Sequence, residues 1–221
     1  MKIIDLTHEL SSNIPNWTGH CGFESHIAMD YDEYTIPVKF RDNRLTMQAG
    51  IGTHMDSPAH CVRGGSTINE IPVEQLITSC VVIDISKQAD EKYLLTAEDV
   101  KTFEKQYRKI AENTLVLIYT GWERFWSQPE KYRNNLVFPG VSAEAADLLL
   151  TRNIVGLGID TLSPDAGDQN FPVHQLILGA GKYIIENVAN AKQLSPVGTR
   201  VIAAPLKMKD VTESPIRLIA F

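Results

Sequence analysis

Three stretches limit the fold more than anything else in this chain. Val81-Val82-Ile83-Asp84-Ile85, Thr114 to Tyr119 and Ile154 to Ile159 are short, nearly continuous apolar runs. Runs of this length and composition are strands buried on both faces, the kind found in parallel sheets covered by helices. The segments between them carry helix punctuation. Thr96 offers a hydroxyl cap ahead of Glu98 and Asp99, for a helix running to about Ala111, and Ser142 caps a second one running to about Thr151. Pro172 opens a short helix carrying His174 to Leu178, closed by Gly179-Ala180-Gly181. Further strands are expected at Tyr183 to Val188, Thr199 to Ala204 and Ile216 to Phe221. Strands alternating with helices place the chain in the α/β class with parallel pairs.

The first half is richer in strands. Residues 3–10, 25–29, 34–40 and 44–56 are expected to be extended, with Asp30-Tyr31-Asp32-Glu33 as a turn and Gly50 and Gly52 weakening the last strand. Ile71 to Leu76 is a short connector. These strands would add antiparallel pairs and make the sheet mixed. No repeat, low-complexity tract or linker interrupts the chain, so residues 1–221 are expected to form a single domain. Residues 11–24 form a polar loop that contains two large apolar side chains, Trp17 and Phe23. They either fold back onto the core or line a pocket as substrate-binding residues.

The bulk numbers exclude several classes. A net charge of −6 without a Lys/Arg cluster argues against nucleic acid, whose phosphates want a basic face. No stretch approaches the roughly 20 apolar residues of a membrane span, and the apolar run after Lys2 is too short for a signal peptide. Cys21, Cys61 and Cys80 are odd in number and lack framework spacing, which fits a reducing, cytoplasmic location.

The chemistry concentrates in one segment. If residues 52–56 are extended, the period of two puts His54 and Asp56 on one face. Ser57-Pro58 then starts a helical turn, a Ser cap with Pro in the first position, that holds His60 near the strand end. Two imidazoles and a carboxylate suit Zn²⁺ or Mn²⁺; the alternative is a hydrogen-bonded His–Asp pair that holds a turn. Downstream, His174 stands at a helix start. Glu186 sits in an apolar strand, where a carboxylate is paired or metal-bound unless it faces water at an edge.

The nine residues Gly52-Thr53-His54-Met55-Asp56-Ser57-Pro58-Ala59-His60 resemble the signature of the cyclase superfamily, which includes bacterial kynurenine formamidase and isatin hydrolase. The spacing of His174 and Glu186 is similar to that family's second ligand pair. Further matches are Asp5-Leu6-Thr7-His8, Thr120-Gly121-Trp122, Gly158 to Asp165 and Ser214-Pro215-Ile216-Arg217. The resemblance implies a swivelling β/β/α-type fold with a mixed sheet and assembly as a homodimer or homotetramer. It also implies one or two Zn²⁺ or Mn²⁺ ions that activate water against an amide bond of a small molecule, such as an N-formyl aromatic amine or a cyclic amide. Carried over residue by residue, His54, Asp56, His60, His174 and Glu186 are the metal-site candidates. His60 or Glu186 would supply the catalytic proton, or act as a plain ligand.

One position departs from the family. The motif usually opens with a histidine four residues before His54, and this chain has Gly50 there. Three outcomes follow: one metal instead of two, replacement of the ligand, or loss of metal and activity. In the last case the chain would be an inactive small-molecule-binding relative; a lyase or isomerase on the same site is a further alternative. Gln48 shares the face but starts about 7 Å further along the strand and is a poor zinc ligand. Asp160 and His8 are each either positioning residues behind the metal site or plain structural ones.

Overall fold

The three apolar runs lie side by side as parallel strands. In chain order the strands are β1 (Ile4–Asp5), β2 (Glu24–Met29), β3 (Asp42–Thr46), β4 (His54–Asp56), β5 (Ile77–Asp84), β6 (Leu94–Leu95), β7 (Thr114–Tyr119), β8 (Gly140–Val141), β9 (Gly156–Ile159), β10 (Tyr183–Glu186), β11 (Thr199–Pro205) and β12 (Glu213–Ala220). The α-helices are α1 (Val73–Leu76), α2 (Ala97–Gln106), α3 (Pro129–Arg133), α4 (Ala143–Leu150) and α5 (Pro172–Gly179). The structure is a computed structural model that describes residues 2–20, 22–167 and 170–221; Cys21, like Met1, Asp168 and Gln169, lies outside the described residues.

The principal sheet runs β1-β12-β11-β5-β7-β9-β10-β4, and β4 also pairs with β12. That second pairing closes seven strands into a barrel and leaves β1 beside the far end of β12. β5, β7, β9 and β10 are parallel; β11, β12 and β4 join antiparallel. The sheet is mixed, as expected.

Alternation sorts the side chains into two layers. Cys80, Val82, Leu115, Leu117 and Ile185 join Met55, Val201 and Leu218 in one buried cluster, which fills the barrel. Their chain neighbours Val81, Ile83, Val116, Ile118 and Ile184 pack with Val100, Phe103, Leu149 and Ile177 of α2, α4 and α5 in a second cluster, on the outer face. The interior has no room for side chains from β9. A Cβ on Gly156 would overlap the Tyr183 ring, and one on Gly158 would overlap Leu117 Cδ2. The helix caps are formed as expected: Thr96 Oγ1 accepts from Asp99 N, and Ser142 Oγ accepts from Ala145 N. α2 stops at Gln106, short of Ala111.

The first half differs more. The strand expected over 3–10 is only the pair Ile4–Asp5. Residues 34–40 are not a strand; β2 pairs instead with β3, and all residues of both strands are exposed. The strand expected over 44–56 is broken between Thr46 and His54, where Gly52 takes a φ of +63°. Residues 44–46 belong to β3 and residues 54–56 to β4, so Gly50 and Gln48, between them, do not share a strand face with His54. Ser57 does not cap with its side chain: its Oγ donates to Thr212 O at 2.7 Å. Among the described residues no helix is long and apolar enough to cross a membrane.

Candidate metal centre

Met55 points into the barrel, so period two turns His54 and Asp56 to the outer face. β10 lies antiparallel to β4 with Glu186 opposite His54 and Ile184 opposite Asp56. Glu186 therefore shares that outer face. The first turns of α5 bring His174 over it. Three elements converge, and each is held by backbone pairing or helix packing.

The two imidazoles are aimed alike. His54 Nδ1–H donates to Gly52 O at 2.8 Å, which leaves Nε2 toward the carboxylates. Asn187 Nδ2 donates to the same carbonyl at 2.9 Å and holds the glycine turn in place. His174 Nδ1–H donates to Asp165 Oδ2 at 2.5 Å. Asp165 also accepts from the backbone N–H groups of Val173 (2.8 Å) and His174 (3.0 Å), so one carboxylate fixes both the helix start and the ring. Both Nε2 atoms then face shared acids. His54 Nε2 is 3.5 Å from Asp56 Oδ1 and 3.3 Å from Glu186 Oε2. His174 Nε2 is 3.6 Å from Asp56 Oδ2 and 3.5 Å from Glu186 Oε1.

These four residues are buried. Burial disfavours the charged form of His54, but Asp56 and Glu186 outweigh it and push its pKa up to about 10. His174 likewise loses hydration, but Asp165 and Asp56 push its pKa up to about 11. Asp56 loses hydration too, yet the flanking imidazoles hold its pKa below the usual carboxylate value. Burial, and then Asp56, raise that of Glu186. The acids thus demand positive charge at this point. Asp56 Oδ1 is 1% exposed by residue and has no hydrogen-bond partner among the described residues. An orphaned carboxylate oxygen is costly unless a cation takes it. With two Nε2 atoms and two carboxylates around it, the donor set fits a divalent metal.

Two donor triplets share Asp56: Asp56, His174 and Glu186, and His54, Asp56 and Glu213, each with ligand atoms mutually within 4.8 Å. His60 belongs to neither. It sits in the turn Pro58–His60, with Nδ1 3.3 Å from Glu213 Oε2, and its pKa is raised first by that contact. Asp160 orients no histidine. Its carboxylate accepts from Thr120 N and Oγ1, both at 2.7 Å, and from Glu123 N, so it ties the turn after β7. His8 stacks on Trp126 with ring centroids 3.8 Å apart and binds Thr53 Oγ1 through its backbone.

A cavity of about 470 Å³ opens over these groups. Trp17 and Phe171 form its apolar wall, with centroids 5.7 Å apart, and Gln48 and Gly50 line it as well. Phe23 is half-buried and lies outside the lining. Sequence reasoning named neither Glu213 nor Asp165 as a site residue. The available signal was position: each borders or falls within a stretch that carries the family resemblance.

Known proteins share the sequence and the fold of this chain. The family described as putative cyclase matches residues 4–166. The chain is 31% identical to an isatin hydrolase of Roseibium aggregatum, covering 99% of this chain and 86% of that protein. It is 26% identical to a kynurenine formamidase of Bacillus cereus, covering 98% and 95%. Among solved structures, isatin hydrolase A from Labrenzia aggregata, bound to benzyl benzoate, superposes with a TM-score of 0.88 at 34% identity, covering 99% of this chain and 93% of that one. A family match over most of the sequence, a relative above 30% identity along nearly its whole length and the same barrel lead to one conclusion: this chain belongs to the cyclase family.

Proposed function

We propose that the protein is a metal-dependent hydrolase that cleaves a non-peptide amide bond in a small aromatic molecule, either an N-formyl aromatic amine or a cyclic amide. One observation carries this reading: two imidazole Nε2 atoms flank two buried carboxylates, one of which, Asp56, has an oxygen without a hydrogen-bond partner among the described residues, on the floor of an aromatic-walled cavity. The names of two relatives, isatin hydrolase and kynurenine formamidase, supply the bond type.

His54, Asp56, His174 and Glu186 would hold the metal, Zn²⁺ or Mn²⁺. When bound, such an ion would supply Lewis acidity and make a water more acidic, with a pKa of about 7. Asp165 and the Gly52 carbonyl keep both imidazoles in the tautomer that presents Nε2. Trp17 and Phe171 bind the substrate ring and exclude water from that side. His60 is half-exposed at the cavity edge and can hold a proton on the face it turns to the cavity, then give it to the leaving amine. A cavity of this volume takes a one- or two-ring substrate.

We read residues 1–221 as one hydrolase domain acting in the cytoplasm, where the free Cys61 and Cys80 would stay reduced. We read the assembly as a homo-oligomer, because the β2–β3 hairpin exposes apolar residues that nothing among the described residues covers.

Elemental mass spectrometry of the purified protein, before and after chelation, tests the metal. Hydrolysis of N-formyl aromatic amines and cyclic amides tests the reaction. At least one Zn or Mn per chain is expected, with activity lost on chelation and recovered on reloading. A protein that takes up neither metal would overturn the reading.

A further inference from the structure

We infer that Glu213 is a metal ligand in its own right and that, with His54 and Asp56, it builds a second cation position beside the one formed by Asp56, His174 and Glu186. The inference rests on the metal-dependent reading above and goes beyond it in the number of ions and in the chemistry of the second position.

Topology brings Glu213 there. β12 closes the barrel onto β4, and the register sets Glu213 opposite Asp56, with Pro215 opposite His54. Residues directly opposite in an antiparallel pair project to the same face. Glu213 therefore joins Asp56 on the outer face although it comes from the far end of the chain.

Space is the second observation. Gly50 has no side chain, and an ideal Cβ there would overlap Glu213 Oε1 while lying 3.4 Å from His54 Nε2. Gly50 does not have a positive φ, so its backbone would accept a side chain. What excludes one is the Glu213 carboxylate. The glycine leaves a slot beside His54, and an acid from another strand fills it.

Donor chemistry is the third. One atom each of His54, Asp56 and Glu213 lie mutually within 4.8 Å. Asp56 Oδ1, the buried oxygen without a partner, is the one 3.5 Å from His54 Nε2. The other Glu213 oxygen is already engaged: Oε2 lies 3.3 Å from His60 Nδ1 and accepts from Thr212 Oγ1 at 3.4 Å. Glu213 is thus oriented from behind by His60 and Thr212 and free in front. Like the first position, this one offers one imidazole and two carboxylates, a harder donor set than an imidazole-rich one, which suits Mn²⁺ better relative to Zn²⁺. Asp56 would bridge the two positions.

The test is calorimetric titration of chelator-stripped protein with Mn²⁺ and, separately, Zn²⁺, with bound metal counted after gel filtration. Wild type is expected to bind two Mn²⁺ per chain. Glu213→Gln, nearly the same shape, is expected to lose one of them, with affinity at that position down at least about 100-fold, the upper end of what removing a residue behind a ligand costs. Glu186→Gln is expected to lose the other. The swap Gly50→His with Glu213→Gly should regain the ion that Glu213→Gly alone loses, and should shift preference toward Zn²⁺. Circular dichroism checks that each variant is folded. If Glu213→Gln binds two Mn²⁺ with wild-type affinity, or wild type binds only one ion and Glu213→Gln binds it equally well, Glu213 is a partner of His60 and no ligand. If wild type binds no divalent ion, the metal-dependent reading falls as well.

Discussion

The barrel and the β2–β3 hairpin are both β-structure, and both contain apolar residues at alternate positions. In the barrel, closure uses up the edges; alternate residues fill the packed interior, and on the outer face apolar residues of β5, β7, β9 and β10 pack against the helices. In the hairpin, all residues of both strands are exposed, and Ile27, Ile36, Val38, Phe40 and Leu45 in and around it are each more than half accessible. The metal donors lie on the barrel and on α5, which packs against it. β4, β10 and β12 are locked by register, and α5 is pinned by Asp165, so the donors meet without depending on a mobile loop. Alternation alone therefore does not bury a strand; a second layer must be there to receive it.

The largest effect should come from the barrel interior. Leu117 is fully buried and fills the space over Gly158. Leu117→Ala should cost about 2–5 kcal/mol, transfer plus cavity. Leu45→Ala in the hairpin should cost under about 0.5 kcal/mol to the isolated chain. Urea unfolding at low protein concentration measures both; equal losses would mean that the hairpin is packed in the monomer after all.

The same contrast explains what could be read in advance. His54 and Asp56 were legible because three residues of strand are enough for alternation to act, even though Thr46 to His54 is not the continuous strand expected. His174 was legible from Pro172, which opens its helix. Glu213 was not. Its place depends on β12 closing the barrel onto β4, a long-range pairing that no local pattern encodes. Residues 34–40 misled in the opposite way. Tyr34, Ile36, Val38 and Phe40 alternate as a half-buried strand does, yet Ile36, Val38 and Phe40 stand exposed, and the pairing partner of β2 is the polar segment Asp42–Thr46. Period two reports a strand only when a face is buried.

The next effect sharpens the claim that the site is held rigidly. Asp165→Asn would put an amide N–H where His174 Nδ1–H now donates, favouring the tautomer that blocks Nε2. Affinity for the ion shared by His174 and Glu186 should fall about 10–100-fold, with the fold intact. Metal titration monitored by calorimetry checks it; unchanged affinity would show that the ring needs no support from Asp165.

A smaller effect concerns His8, half-buried against Trp126, with its Nε2 enclosed and without a hydrogen-bond partner among the described residues. Burial lowers its pKa to about 4, while the unfolded chain binds this proton near 6.5. Because the folded pKa is the lower one, the unfolded state takes up a proton first as pH falls. Stability is thus full above about pH 6.5 and declines from there toward pH 4, by at most about 1.4 kcal/mol per pH unit for one proton. His8→Phe keeps an aromatic ring for the stack and should flatten this decline. Urea midpoints of the two proteins between pH 7 and 5 decide; parallel curves would mean that His8 is protonated in the fold.

The smallest effect on the chain's own stability should come from the hairpin, and it tests the comparison most directly. Ile36→Lys with Val38→Lys places charge where water already reaches, so the unfolding free energy of the separated chain should move by no more than about 0.5 kcal/mol. In a homo-oligomer these positions are covered by a neighbouring copy, and two charges buried there would break the contact. Light scattering over a concentration series should then show wild type as a multiple of the chain mass and the double variant as the single chain. A wild type that stays monomeric would leave the hairpin's apolar residues exposed to water and sink the homo-oligomer reading. A double variant that assembles like wild type would move the interface to another face. Metal stoichiometry should stay at the wild-type value in either case, because every donor of both triplets comes from the barrel and α5 of one chain.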